Sequence, residues 1–117
     1  MLKYFKLSEF ASPDLPGSES EMCDDFLQMI DNARGIAGIP FKINSGMRTI
    51  AHNRSIGSKD TSSHIIGCAA DIHCNNSVDR SKIVAALIQA GFRRLGIAET
   101  FVHCDCDERK PNAIWLY

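Results

Sequence analysis

Charge imbalance is almost absent from this sequence: thirteen Lys and Arg stand against fourteen Asp and Glu, for a formal net charge of −1. That leaves no electrostatic footprint for a nucleic-acid backbone, and no basic run suited to an anionic membrane. No stretch approaches the roughly 20 apolar residues that cross a bilayer. The opening Met1-Leu2-Lys3-Tyr4-Phe5-Lys6 lacks the long apolar segment and small-residue cleavage site of a secretory leader. Cytoplasmic synthesis without export through the general secretory route is therefore the expectation. There is no internal repeat, linker or low-complexity segment, so residues 1–117 are expected to form one domain. Nucleic acid and membrane are not expected partners, and the chain is read as a monomer. The cysteines are Cys23, Cys68, Cys74, Cys104 and Cys106. An odd count without a leader argues against a disulfide framework and for reduced, partly buried thiols.

Hydrophobic residues at 44% suffice for an independent core in a chain of this length. Residues 1–17 read as an irregular lead-in, with two prolines and a glycine between Pro13 and Gly17 marking surface loop. Ser18-x-x-Glu21 reads as a capping box for the helix that follows. Met22, Phe26, Met29, Ile30, Ala33 and Ala37 recur at three- and four-residue steps, the apolar face of that helix. Asp24, Asp25, Asp31 and Arg34 fall mostly off the face, and Gly35, Gly38 and Pro40 end it. Phe41–Ser45 alternates as a strand and delivers Arg48 beyond Gly46, while residues 49–56 read as a short helix carrying Asn53. A strand over Asp71–Cys74 leads to a turn at Asn75-Asn76. Ser77 is placed as the cap of a second helix, with Asp79 in its first turn and Ile83, Ala86, Leu87 and Ala90 buried. Gly91 stops it. Strands are expected over Arg94–Ala98, Phe101–Asp107 and Ala113–Tyr117. The fold class is thus α+β, with two main helices on a small, mostly antiparallel sheet.

The chemistry gathers around Ser62-Ser63-His64-Ile65-Ile66-Gly67-Cys68-Ala69-Ala70-Asp71-Ile72. His64 and Asp71 are ligand types that Zn²⁺ accepts. Their spacing is too long for one helical face and suits a turn, which Gly67 can supply. A third ligand is available in Phe101-Val102-His103-Cys104-Asp105. Two ligands close in sequence and a third far along the chain match a catalytic zinc with one open position. Strand alternation turns Cys104 away from His103's side, which argues against a cysteine-ligated metal.

The string Ser62-x-His64-x-x-Gly67-x-Ala69-x-Asp71, followed by His103-x-Asp105, closely resembles the zinc D-alanyl-D-alanine carboxypeptidase family. That family includes phage endolysin peptidases that cut peptidoglycan stem peptides, and the Hedgehog signalling domain shares its fold. The resemblance extends through Ile43-Asn44-Ser45-Gly46-Met47-Arg48 and Asn53, then Gly91 to Ile97 and Trp115-Leu116-Tyr117. It covers roughly residues 20–117.

The resemblance implies that His64, Asp71 and His103 bind zinc and that Arg48 binds and polarises the substrate. The alternative for Arg48 is a surface salt bridge. Ser62 matches a position near the substrate, or else merely caps a turn. His73 matches no ligand position and is assigned to a surface or supporting role; His52 is expected in solvent. Many relatives carry an acidic residue three before the last histidine, where this chain has Thr100. Glu99 and Asp105 share His103's face if the strand is extended, so either is a candidate general base. The His-x-Asp pair of the phage-type branch favours Asp105; the other carboxylate would orient a histidine. The function implied is a zinc peptidase hydrolysing amide bonds in peptidoglycan stem peptides, an endolysin or other wall-degrading enzyme acting after release from its cell. Terminal trimming and internal cleavage stay open. The alternatives are a non-enzymatic, Hedgehog-like zinc module, favoured by Thr100, and a virion-associated wall hydrolase.

Overall fold

The apolar steps after residue 22 and after Ser77 do produce two long helices, packed against each other and against one face of a sheet. The structure is a computed structural model and describes residues 2–117; Met1, the first residue of the lead-in, lies outside them. In chain order the elements are α1 (Asp24–Ala37), β1 (Ile43–Ser45), α2 (Ile50–Ser55), β2 (Ala69–His73), α3 (Ser77–Gln89), β3 (Arg94–Ile97), β4 (Phe101–Asp105) and β5 (Ala113–Leu116). The sheet runs β1-β2-β4-β3-β5. Its first three pairings are antiparallel and β3–β5 is parallel. The α+β class and the mostly antiparallel sheet are as expected, with α2 a third, short helix. No helix is long and apolar enough to cross a membrane among the described residues.

Several local expectations give way to tertiary contacts. Ser18–Glu21 is a separate 3₁₀ turn, and α1 begins only at Asp24 after Cys23. Helix α3 is capped by Asn76, whose side chain accepts from the Asp79 amide at 2.8 Å, and Ser77 is its first residue. Strands β1, β3, β4 and β5 are shorter than the alternation suggested, and β2 starts two residues earlier than expected. Asp31, assigned to the solvent side of α1, is buried. Its carboxylate accepts from the backbone amides of Lys3 and Tyr4 at 2.9 and 3.0 Å. The reason lies in the lead-in, which is no loose surface segment. Phe5 and Phe10 insert into the core beside Phe41, and an amide brought in with them must find an acceptor.

The core is the layer between α1, α3 and the sheet, filled by Phe26, Ile30, Ile72, Leu87, Phe92 and Val102. Side chains alternate along β2 and β4, so Ala70, Ile72, Val102 and Cys104 enter this layer. Asp71, His103 and Asp105 are delivered to the opposite face. That split between the two faces is what builds the site.

Candidate metal centre

Asp71 and His103 are direct cross-strand partners in the β2–β4 ladder, so their side chains meet on the open face. His103 Nδ1 lies 2.8 Å from Asp71 Oδ1, and its Nε2 lies 2.7 Å from Asp105 Oδ2. His64 arrives from the turn preceding β2. Its Nδ1 is hydrogen-bonded to the Gly46 carbonyl at 2.8 Å, which makes that nitrogen the donor. The other nitrogen, Nε2, then faces Asp71 Oδ1 at 3.5 Å. One ligand atom from each of His64, Asp71 and His103 lies within 4.8 Å of the other two.

This donor set suits a divalent ion of borderline softness, two imidazole nitrogens and one carboxylate oxygen, as zinc takes. The pairing around it is what such a site needs. Each histidine spends its remote nitrogen on an oxygen that fixes the ring, Gly46 O for His64 and Asp105 for His103. In the protein without metal, His103 is held above the usual histidine range. Burial works against that, but hydrogen bonds to Asp105 and Asp71 outweigh it. Asp71 is the converse case. Burial would raise its pKa, yet His103 and His64 together hold it well below the usual carboxylate range. A ligand carboxylate that stays ionised is available to a cation over a wide pH range.

The turn that carries His64 depends on close approach. Gly67 has φ +75°, and a Cβ there would run into the backbone of Glu21 and Met22. Ser63 Oγ donates to Asp107 Oδ2 at 2.7 Å, while Lys110 Nζ donates to Ser63 at 3.0 Å. Gly46 is pressed against Phe10, whose backbone would lie 2.8 Å from an added Cβ, and the Met47 amide donates to the Phe10 carbonyl at 2.8 Å. The lead-in thus sets the position of the carbonyl that orients His64.

Above the three residues is an open cleft of about 360 Å³. Arg48 lines it and is anchored three ways: Nε to Ser45 Oγ at 2.9 Å, Nη1 to Asn53 Oδ1 at 3.3 Å, and Nη2 to Asp71 Oδ2 at 3.3 Å. It is therefore a partly buried member of the site, not a surface salt bridge. Ser62 also lines the cleft, and its Oγ accepts from the His64 amide at 3.3 Å. Ser62 thus holds the turn, and its side of the turn faces the cleft.

The two candidate bases separate. Asp105 lies on His103's face, nearly inaccessible, and its carboxylate also accepts from Arg94 Nε at 2.7 Å and from the Asp107 amide at 3.1 Å. Burial opposes its ionisation, but His103, the Asp107 amide and Arg94 together hold its pKa down. Glu99 does not reach the cleft. It sits exposed in the β3–β4 turn, outside the strand, so the alternation that aligned it with His103 does not apply. Its carbonyl accepts from Arg80. His73 is exposed and His52 half-buried on α2.

Sequence reasoning missed the support on the far side. Trp115 packs 5.4 Å from the His103 ring, and Arg94 lies over the indole at 4.9 Å. Gly96 stands opposite both His103 and Trp115 in the sheet. A Cβ there would strike Trp115 and Tyr117 at 2.6 and 2.7 Å. A lone glycine inside a strand was the available signal, since it marks a place where another group approaches closely.

The family model described as Peptidase M15 matches residues 3–105. The match takes in nearly all of the lead-in and ends before β5. No curated protein matches the chain.

Proposed function

The chain belongs to the peptidase M15 family, whose members are zinc-dependent peptidases, and from that premise we propose that it hydrolyses an amide bond in peptidoglycan stem peptides. The observation that carries the proposal is the convergence of His64 Nε2, Asp71 Oδ1 and His103 Nδ1 at the floor of an open cleft. These three residues would hold the zinc. When bound, the ion polarises a carbonyl and makes water acidic enough to attack near neutral pH. Gly46 and Asp105 keep the two imidazoles turned toward the ion, and Asp71 brings a charge that stays ionised. Arg48 places a fixed cation on the cleft wall, where a guanidinium can hold a carbonyl or developing oxyanion. Ser62 supports the His64 turn and adds a hydroxyl at the cleft edge.

Asp105 is assigned to positioning. Its oxygens are occupied by His103, Arg94 and the Asp107 amide, so it acts on the reaction through His103. Acting on wall peptides after release, as endolysins do, is the biological setting we propose. Mass spectrometry of purified muropeptides tests the reading. Zinc-loaded protein should release a defined peptide fragment, and chelated protein or a His64→Ala, His103→Ala double variant should not.

A second reading has an observation of its own. Among the described residues lining the cleft, the only carboxylates are Asp71 and Asp105, and both are engaged. Proton acceptance beside zinc ordinarily uses a carboxylate. Absence of any cleavage by protein that demonstrably carries one zinc per chain would favour a non-enzymatic zinc module.

A further inference from the structure

The face of the sheet opposite the metal centre carries thiols that the peptidase chemistry does not use. Ala69 pairs with Asp105 in the antiparallel β2–β4 ladder. One step further out, Cys68 stands opposite Cys106, and the Cys106 amide donates to the Cys68 carbonyl at 3.1 Å. Directly opposed residues of a hydrogen-bonded antiparallel pair have Cα atoms about 5.5 Å apart and project to the same face. That separation falls within the range a disulfide bridges, roughly 4.4–6.8 Å. The Cys68 amide does not return a bond across the ladder; it donates to Ser63 at 3.4 Å. The pair therefore sits at the end of the ladder, one step beyond its last paired residues.

Access is asymmetric. Cys68 is buried and Cys106 only partly so. Cys106 opens onto a second cleft of about 410 Å³, shared with Met29, Arg93 and Lys110. The two thiols also divide the ionisation between them. Interaction with Cys68 pulls Cys106 below the usual thiol range, and interaction with Cys106, together with burial, pushes Cys68 well above it. A partly exposed cysteine whose pKa is lowered, beside a buried thiol, is the arrangement of an attacking and a resolving cysteine.

We propose that Cys68 and Cys106 form a redox-active dithiol that closes to an intramolecular disulfide by exchange with a low-molecular-weight disulfide. The Cys106 thiolate attacks one sulfur of that molecule and expels the other half as a thiolate, which takes up a proton. Cys68 then loses its proton and attacks the Cys106 sulfur, expelling the second half, which leaves as a thiol. Two protein thiols are oxidised and one small disulfide is reduced to two thiols. The bridge joins the start of β2 to the end of β4, the two strands that carry Asp71 and His103. It is independent of the peptidase reading.

The test is incubation of the full-length protein with oxidised glutathione, followed by acid quenching, alkylation and peptide mapping. Two of the five thiols should disappear, with loss of the mass of two hydrogen atoms and linkage of the Cys68 and Cys106 peptides. The thermal midpoint should rise by about 10 °C and fall back with dithiothreitol. Cys68→Ser should trap glutathione on Cys106, while Cys23→Ser should leave bridge formation unchanged. Retention of all five thiols, a lasting glutathione adduct on the unsubstituted protein, or a bridge to Cys23 or Cys104 would each overturn the proposal. The mapping on unsubstituted protein decides the matter even if a variant fails to fold.

Discussion

His103 is gripped at both ring nitrogens, by Asp71 on the metal side and Asp105 on the other, and this dictates what Asp105 variants should do. Asp105→Asn keeps the shape but replaces one acceptor oxygen with a donor and loosens the ring. Zinc affinity, measured by competition with a chromophoric chelator, should fall by roughly 10–100-fold. Turnover at saturating zinc should fall much less. Glu99→Gln should change neither, because Glu99 lies outside the cleft. Arg48→Ala should lower kcat/KM on muropeptides by about 10²–10³, the value of one lost electrostatic donor. It should also destabilise the fold by about 1–3 kcal/mol, since the guanidinium satisfies Ser45, Asn53 and Asp71. Full activity in that variant would remove Arg48 from the reaction. Asp107 has a pH signature. Hydrogen bonds from Arg109 and, against burial, from Ser63 hold its carboxyl well below the usual range. A depressed folded-state pKa contributes stability above the unfolded value near ~4, and that contribution is lost as pH falls toward the folded value. Asp107→Asn should therefore be less stable than the unsubstituted protein at pH 7, and the difference should shrink in acid. Denaturant melts across that range would show it; a constant difference would count against the ion-paired role.

At the level of elements, the lead-in stands out because it is bound at several places along its length and contributes to the site. Asp31 of α1 holds its start, Phe5 and Phe10 enter the core, and Phe10 meets Gly46 and Met47. Phe10→Ala should cost about 3–5 kcal/mol, as expected for a fully buried aromatic. It should also weaken zinc binding, because the Gly46 carbonyl that orients His64 rests on that contact. Unchanged zinc affinity in a folded Phe10→Ala protein would show that the turn holds His64 without help. The β2–β4 pair plays the complementary part, setting Asp71 against His103 by register alone. A one-residue slip of β2 against β4 would turn Asp71 into the core and leave His103 without its cross-strand partner.

For the whole molecule, the three residues proposed to hold zinc come from a turn and two strands separated by up to 39 positions, His64 to His103. An ion held by all three binds the folded chain and not the unfolded one, so its affinity adds directly to stability. Zinc at a thousand times its dissociation constant should add about 4 kcal/mol. A chelator should lower the thermal midpoint accordingly, and the His64→Ala, His103→Ala double variant should show no zinc-dependent shift. Persistence of that shift in the double variant would exclude the assigned centre.

The sequence by itself determined the α+β class, the two long helices and the residues that converge as a possible metal site. The class and the helices follow from local periodicity, a property of short segments. The set His64, Asp71 and His103 follows instead from the resemblance of the Ser62 to Asp71 and His103-x-Asp105 strings to a zinc peptidase family. What only the tertiary structure decided was the use of each neighbouring group. Asp105 and Glu99 have the same parity relative to His103, and the start of β4 at Phe101 alone separates them. Asp31 lies on the polar side of α1 by periodicity and is buried because the lead-in folds over it. The Gly46 carbonyl, the Trp115 ring and the facing of Cys68 with Cys106 depend on which strands become neighbours. Strand pairing is a long-range outcome of burying one continuous core, and no short stretch of the chain contains it.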